Sequence, residues 1–145
     1  MAYSWALIDD VFVVRWAVLN VHDLDKILND LTNASKSSHQ AIKYISITPA
    51  EAPVPSKEER TALGNFAAKA EPFCSGFEIV FEGDSLKHTL QRTVITTALM
   101  LVQRSGKAHI HKKLEDAVGN ACKADPTRAD SVMTRLRLRG LARPA

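Results

Sequence analysis

Residues 4–18 of the chain read SWALIDDVFVVRWAV. Two runs rich in β-branched and aromatic residues flank Asp9 and Asp10, and aspartate is frequent in tight turns. This pattern predicts a β-hairpin with the two aspartates at its turn. A hairpin followed by alternating helix and strand signals indicates an α/β fold with a mixed β-sheet.

The remaining segments alternate between helical and strand periodicity. Asn20 marks the start of a first helix, whose apolar residues recur at helical spacing up to Leu31. The polar stretch Thr32–Gln40 predicts that this helix ends in a loop. The order β-β-α-β-α-β-α-β-α then contains about five strands and about four helices. The further strands are predicted at Ile42–Thr48, Phe77–Glu82 and Lys107–Lys112, and the further helices at Ser56–Phe73, Leu86–Arg104 and Leu114–Ala124.

Length and charge predict one domain with a basic end. The 145 residues suit a single hydrophobic core, which we place in residues 1–125. Residues 126–145 form a short basic C-terminal extension with five arginines and one aspartate, in which Ser131–Leu138 has helical spacing. Its Arg135, Arg137 and Arg139 are candidate contacts for an anionic partner. The alternative is a solvated, loosely ordered terminus, and the missing aromatic residues argue against nucleic acid as the partner.

Composition also bears on the compartment. The amino terminus lacks the pattern of a secretory signal, and the apolar stretch Val94–Val102 is shorter than the ~20 residues that cross a bilayer. Cys74 and Cys122 have no metal-type spacing and are expected to be reduced thiols. The chain is therefore predicted to be a cytoplasmic protein without a transmembrane segment.

The order and lengths of these elements resemble the STAS domain family, which includes bacterial anti-sigma-factor antagonists. Arg15-Trp16 at the end of the hairpin, the segment Pro49–Pro55 and Phe81-Glu-Gly83 carry the resemblance, which covers roughly residues 3–124. It implies a single STAS-like domain and a non-enzymatic regulatory role in bacterial signalling through protein–protein interaction. The implied partner is another protein, such as a kinase-like or switch protein. Apolar residues around the long Leu86 helix also make a homodimer plausible.

STAS-type regulators often carry a phosphorylatable serine or threonine between the third strand and the second helix. In this chain Thr48 and Ser56 occupy that region, without the family's Asp-Ser-Ser-x-Gly run. Ser56 also opens the pattern of a capping box with Glu59, so it is either a helix cap or a phosphorylation and partner-binding site. Because ligands gather at the carboxyl ends of parallel strands, we extend this candidate interaction surface to the following residues. They are Glu58, Glu59, Asp84, Ser85 and His88.

The sequence contains no convincing catalytic or metal-binding set. His109 and His111 lie two residues apart on the predicted edge strand, so their side chains share a face. Two imidazoles are too few for a zinc site, and we interpret them as solvent-facing histidines. Nucleophile elbows and phosphate-binding glycine loops are missing, so neither an enzyme, a metal nor a cofactor is predicted. The alternative function is a small-ligand binding domain that holds a nucleotide or a lipid near the strand ends.

Overall fold

The first two strands form the predicted hairpin. In the computed structural model, which describes residues 3–85, 87–93, 108–123 and 125–142, β1 (Tyr3–Ile8) pairs antiparallel with β2 (Val11–Trp16). Asp9 has a φ of 56°, the left-handed conformation that a two-residue hairpin turn requires and that aspartate tolerates. The hairpin turn predicted at Asp9 and Asp10 is confirmed.

The rest of the sheet is parallel. β3 (Ile42–Thr48), β4 (Cys74–Phe81) and β5 (Ala108–His111) follow β2 in the order β1-β2-β3-β4-β5. The predicted α/β class and the mixed five-stranded sheet are therefore confirmed. The described ranges contain five α-helices rather than about four, because the basic extension contributes one of them. They are α1 (Leu24–Ser38), α2 (Lys57–Ala70), α3 with described residues 87–93, α4 (Leu114–Ala121) and α5 (Pro126–Leu138).

Two predicted element boundaries are wrong. α1 continues through the polar residues to Ser38, because Ala34 is buried and keeps that part of the helix on the sheet. β4 begins at Cys74 rather than Phe77, since the buried Cys74 pairs with Ile42 of β3. Of the long helix predicted from Leu86 to Arg104, residues 87–93 are helical and the others lie outside the described residues.

The central strands are buried on both faces. Residues 11–14 of β2 have no exposed surface, and successive side chains point to opposite faces of the sheet. Phe12 and Val14 pack with α1 and α2, whereas Val11 and Val13 pack with α4 and α5. The sheet is therefore the middle of three layers.

Residues 126–142 belong to one of these layers. Asp125 caps α5 by accepting a hydrogen bond from the amide of Arg128 at 3.0 Å, and Pro126 occupies the first turn. Leu136 and Leu141 are fully buried in the cluster that α4 also joins. The interpretation of a solvated, loosely ordered terminus is therefore wrong for these residues, because apolar side chains at helical spacing bind the segment to the sheet.

Charged and polar contacts hold α5 and the residues that follow it, as far as Leu141, to the sheet. Arg128 forms an ion pair with the buried Asp10, and Arg135 lies 3.6 Å from a carboxylate oxygen of Asp9. Nε of Arg15 in β2 donates to the carbonyl oxygen of Leu141 at 2.7 Å. The two aspartates of the hairpin turn thus form ion pairs with two arginines of α5. Among the helices that the structure describes, none has the length and apolarity needed to cross a membrane.

A pair of leucine substitutions tests the packing of α5. Leu136 is fully buried, whereas Leu138 is 83% exposed two residues later on the same helix. We expect Leu136→Ala to lower the free energy of unfolding by about 2–5 kcal/mol, because it leaves a cavity beneath α5. The matched Leu138→Ala should change it by no more than about 0.5 kcal/mol. Urea denaturation followed by circular dichroism measures both, and equal small effects would contradict the packing of α5.

Candidate functional site

An apolar pocket lies between α2 and the carboxyl-terminal half of the parallel sheet. Its volume is about 160 Å³. β2, β3 and β4 form its floor, α2 forms one wall, and the proline-containing segment 49–55 lies at its rim. The pocket opens at the carboxyl ends of the strands, where α/β proteins commonly bind ligands. The apolar side chains of the lining include Leu63 and Phe66 of α2 and Phe77, Ile79 and Phe81 of β4.

Aromatic rings hold one side of the pocket in place. The ring of Tyr44 in β3 has its centroid 5.5 Å from that of Phe66 in α2 and 5.8 Å from that of Phe77 in β4. These are tilted and edge-on contacts, the geometries that aromatic pairs favour. Because all three rings line the pocket and are buried, the wall is formed before any ligand arrives.

A small polar group interrupts this apolar surface. The indole Nε1 of Trp16 donates to Oγ of Ser46 at 3.2 Å, and both side chains are buried in the pocket lining. Burial raises the pKa of the Tyr44 phenol well above its usual range, while the hydrogen bond with the Ser46 side chain works in the opposite direction. Tyr44 therefore stays neutral, and this part of the lining offers hydroxyl groups to a bound molecule.

Two of the residues singled out from the sequence line this pocket. Thr48 ends β3, where its carbonyl oxygen accepts from the amide of Glu82 at 3.0 Å, and Glu59 belongs to the first turn of α2. The predicted capping box is confirmed: Ser56 Oγ accepts from the amide of Glu59, and the Glu59 carboxylate accepts from the amide of Ser56. Ser56 and Glu58 are exposed at the start of α2, outside the pocket lining.

The other predicted surface residues form a separate group at the start of α3. Asp84 lies 2.5 Å from Nζ of Lys112, and this hydrogen bond holds the pKa of the Asp84 carboxyl below its usual value. Ser85 and His88 contact each other, and His88 also bonds to Ala50 in the segment at the pocket rim. The residues that the sequence analysis combined into one interaction surface therefore lie in two separate groups in the structure.

The three arginines proposed as contacts for an anionic partner also differ in their surroundings. Arg137 and Arg139 are exposed near the end of α5. Arg135 is half exposed and forms an ion pair with Asp9, so it is less available to an anionic partner. The three arginines therefore do not form one free basic patch.

A second polar cluster surrounds Glu78, in the middle of β4. Its side chain is 5% exposed on the face that α4 covers. His111 Nε2 lies 2.5 Å from one carboxylate oxygen, and Asn120 Nδ2 donates to the other at 2.5 Å. His109 Nδ1 lies 3.3 Å from that second oxygen. The shared face predicted for the two histidines is therefore correct, but His111 is mostly covered rather than solvent-facing.

The cluster around Glu78 fastens α4 and the edge strand β5 to the sheet. A buried carboxylate needs hydrogen-bond donors, and β5 and α4 supply them here. Within the described ranges, no group of three histidine, cysteine or acidic side chains has the arrangement of a metal site. Cys74 and Cys122 form no disulfide and are buried in clusters on opposite faces of the sheet. Burial raises the pKa of the Cys122 thiol, which makes it a weak nucleophile.

The sequence analysis did not identify the residues that supply the polar groups of the pocket and of the Glu78 cluster. Trp16, Tyr44 and Ser46 read as strand residues, and nothing in their local pattern marks a pocket. Glu78 carried a weak signal, because an acidic residue between Phe77 and Ile79 interrupts an otherwise apolar strand. Its partners come from 31 to 42 residues away, so the sequence alone could not identify them.

Comparisons with known proteins return no match: no family model fits the chain, and neither a curated protein nor a solved structure resembles it closely enough to count. The resemblance to the STAS domain family therefore rests on the order and lengths of the elements and stays a prediction.

The cluster around Glu78 can be tested by removing one donor. We expect His111→Ala to lower the free energy of unfolding by about 1–3 kcal/mol, because the buried carboxylate loses a partner. The effect should shrink when Glu78 is also replaced by alanine, since the unsatisfied group is then gone. Urea denaturation of the two single variants and the double variant gives the coupling energy. Additive effects would show that the two side chains do not stabilise each other.

Proposed function

We propose that this protein is a small-ligand binding module whose pocket beneath segment 49–55 holds a neutral, largely apolar molecule. The pocket between α2 and the strand ends is the observation that carries the proposal. A preformed apolar pocket with a few converging polar groups is the usual form of a small-molecule site.

The size and lining of the pocket favour one class of ligand. An apolar cavity of about 150 Å³ accommodates a benzene-sized molecule, so a pocket of about 160 Å³ suits a small ring or one end of a short alkyl chain. No lysine, arginine or histidine is among the described residues that line it, whereas the Glu59 carboxylate is. A nucleotide would therefore find no counter-charge, and of the two ligands predicted from sequence a lipid-like molecule fits better.

The polar groups indicate how such a molecule would be oriented. The hydroxyls of Tyr44 and Ser46 can donate to or accept from one hydroxyl or carbonyl group of a ligand. An anionic head group would instead face desolvation and the negative charge of Glu59. The preferred ligand is therefore uncharged, with an apolar body and one polar atom.

The fluorescence of Trp16 gives a direct measurement of ligand binding in the pocket. Trp16 lines the pocket, and the second tryptophan, Trp5, is 42% exposed and stacks on Phe12. In a Trp5→Phe background, Trp16 becomes the only indole, and phenylalanine preserves the stacking. We expect saturable changes in emission on titration with short straight-chain alcohols and with phenol, and much weaker changes with the matching carboxylic acids.

A pair of alanine substitutions provides the control for this titration. Ala52 lines the pocket and is half-buried, whereas Ala68 is exposed on α2, outside the lining. Ala52→Leu should fill part of the pocket and weaken alcohol binding by about tenfold or more, equivalent to about 1.4 kcal/mol. Ala68→Leu should leave binding unchanged. An unsaturable response, or equal binding by both variants, would overturn the proposal.

A second candidate function is the regulatory protein-interaction module predicted from the sequence. It is favoured by exposed apolar residues at the pocket mouth: Val18 is 60% exposed and Val54 is 47% exposed. Val18 lines the pocket, and Val54 lies between the two prolines that do. A protein partner that covers this mouth would bury both side chains and contact the exposed Ser56.

Affinity capture with the full chain tests this second function. A partner recognising the mouth should be lost when Val18 and Val54 are both replaced by aspartate, and retained when Leu138 on α5, which is more exposed than either valine, is replaced by aspartate. If Ser56 is a switch, Ser56→Glu should also weaken capture, since it places a negative charge beside the contact. Capture that survives the Val18 and Val54 changes would exclude this surface.

A further inference from the structure

The turn between β4 and α3 holds a serine–histidine pair that the pocket does not use. Ser85 Oγ lies 2.7 Å from Nδ1 of His88, and the other ring nitrogen, Nε2, lies 2.8 Å from the carbonyl oxygen of Ala50. Ser85 is exposed, whereas His88 is partly buried. A hydroxyl, a base within hydrogen-bond reach and a third group that orients the base together form the arrangement of an activated nucleophile.

The hydrogen bonds determine the tautomer of His88. A carbonyl oxygen can only accept, so Nε2 carries a proton and donates to Ala50. The backbone amide of Ser85 can only donate, and it points to Nδ1 at 3.3 Å. Nδ1 therefore presents its lone pair, and the Ser85 hydroxyl donates to it. This is the tautomer that a general base beside a serine needs.

The surrounding backbone keeps the imidazole in this position. Gly83 has a φ of 125°, and a Cβ built there would lie 2.4 Å from Nδ1 of His88, so only glycine leaves room for the ring. Arg92 donates to the carbonyl oxygens of Phe81 and Gly83 at 2.8 and 3.0 Å. These two hydrogen bonds from Arg92 fix the backbone of the turn that precedes Ser85 and His88.

Helix capping by itself does not require this arrangement. In the capping box of α2, two bonds each join a side chain to a backbone amide, between Ser56 and Glu59. The same two bonds join Ser85 and His88, at 3.3 and 3.4 Å. At α3 the serine hydroxyl additionally reaches the base, and that base is oriented by a carbonyl group 38 residues away. Ser56 therefore serves as an internal reference for a capping serine without a histidine.

We propose that Ser85 is a nucleophilic serine that accepts an acyl group from an activated ester or thioester, with His88 as its general base. A bond forms between Ser85 Oγ and the acyl carbon, and the bond from that carbon to the leaving oxygen or sulfur breaks. The hydroxyl proton passes to Nδ1 of His88 and from there to the leaving group. The products are an acyl ester of Ser85 and the free alcohol or thiol. This proposal is independent of the ligand pocket.

Acylation by p-nitrophenyl acetate tests the proposal on the full chain. We expect release of p-nitrophenolate stoichiometric with protein, and peptide mass spectrometry should locate the acetyl group on Ser85. His88→Gln keeps a side chain that can serve in a capping box but removes the base. It should slow acetylation of Ser85 by about 100-fold or more. Gly83→Ala should slow it as well, because the added Cβ displaces the imidazole.

Two comparisons test whether acetylation depends on Ser85 itself: the Ser85→Asn variant against the wild-type chain, and Ser56 against Ser85. Ser85→Asn retains a good helix cap without a nucleophile, so this variant should fold normally and lose the acetyl group at residue 85. Ser56 should remain unmodified while Ser85 is acetylated. Equal acetylation of Ser56 and Ser85, a wild-type rate in folded His88→Gln, or no acetylation of Ser85 in the wild-type chain would each overturn the proposal. Circular dichroism of every variant separates loss of reactivity from loss of fold.

Discussion

The burial of the central strands on both faces is the constraint on which the rest of the structure depends. Residues 11–14 of β2 have no exposed surface, and Ile45 and Ile47 of β3 are equally covered. Strands of this kind are stable only between two layers of helices. α1 and α2 cover one face, so α4 and α5 must cover the other. The basic helix α5 therefore belongs to the hydrophobic core as well as carrying a charged surface.

The same layering explains where the candidate sites lie. Each parallel strand leads into a helix, so the carboxyl ends of β2, β3 and β4 meet beneath the turns that start α2 and α3. The pocket and the Ser85–His88 pair both lie at this edge, joined through the segment that contains Ala50. Polar groups nearer the middle of the sheet have a different role. The buried Glu78 organises contacts between β4, β5 and α4.

Local patterns predicted the features that depend on neighbouring residues. The hairpin turn at Asp9, the bounds of β3 and the capping box that begins with Ser56 all follow from residues within a few positions of each other. The length of α1 and the packing of the basic helix α5 against the sheet could not be predicted in this way. Polar composition predicted a loop at Thr32–Gln40 and left a loosely ordered terminus as the alternative for the basic extension, but burial of Ala34 and Leu136 against the sheet outweighs local preference.

By itself, the sequence determined the α/β class, the order of the elements, the turn and cap chemistry and the edge of the sheet where candidate residues gather. The tertiary structure decided which of those residues meet. Trp16 and Ser46 are 30 residues apart, His88 and Ala50 are 38 apart, and Glu78 and His111 are 33 apart. Periodicity reports which face a side chain occupies, but contact between distant segments depends on strand order and helix packing, which a single sequence does not encode locally.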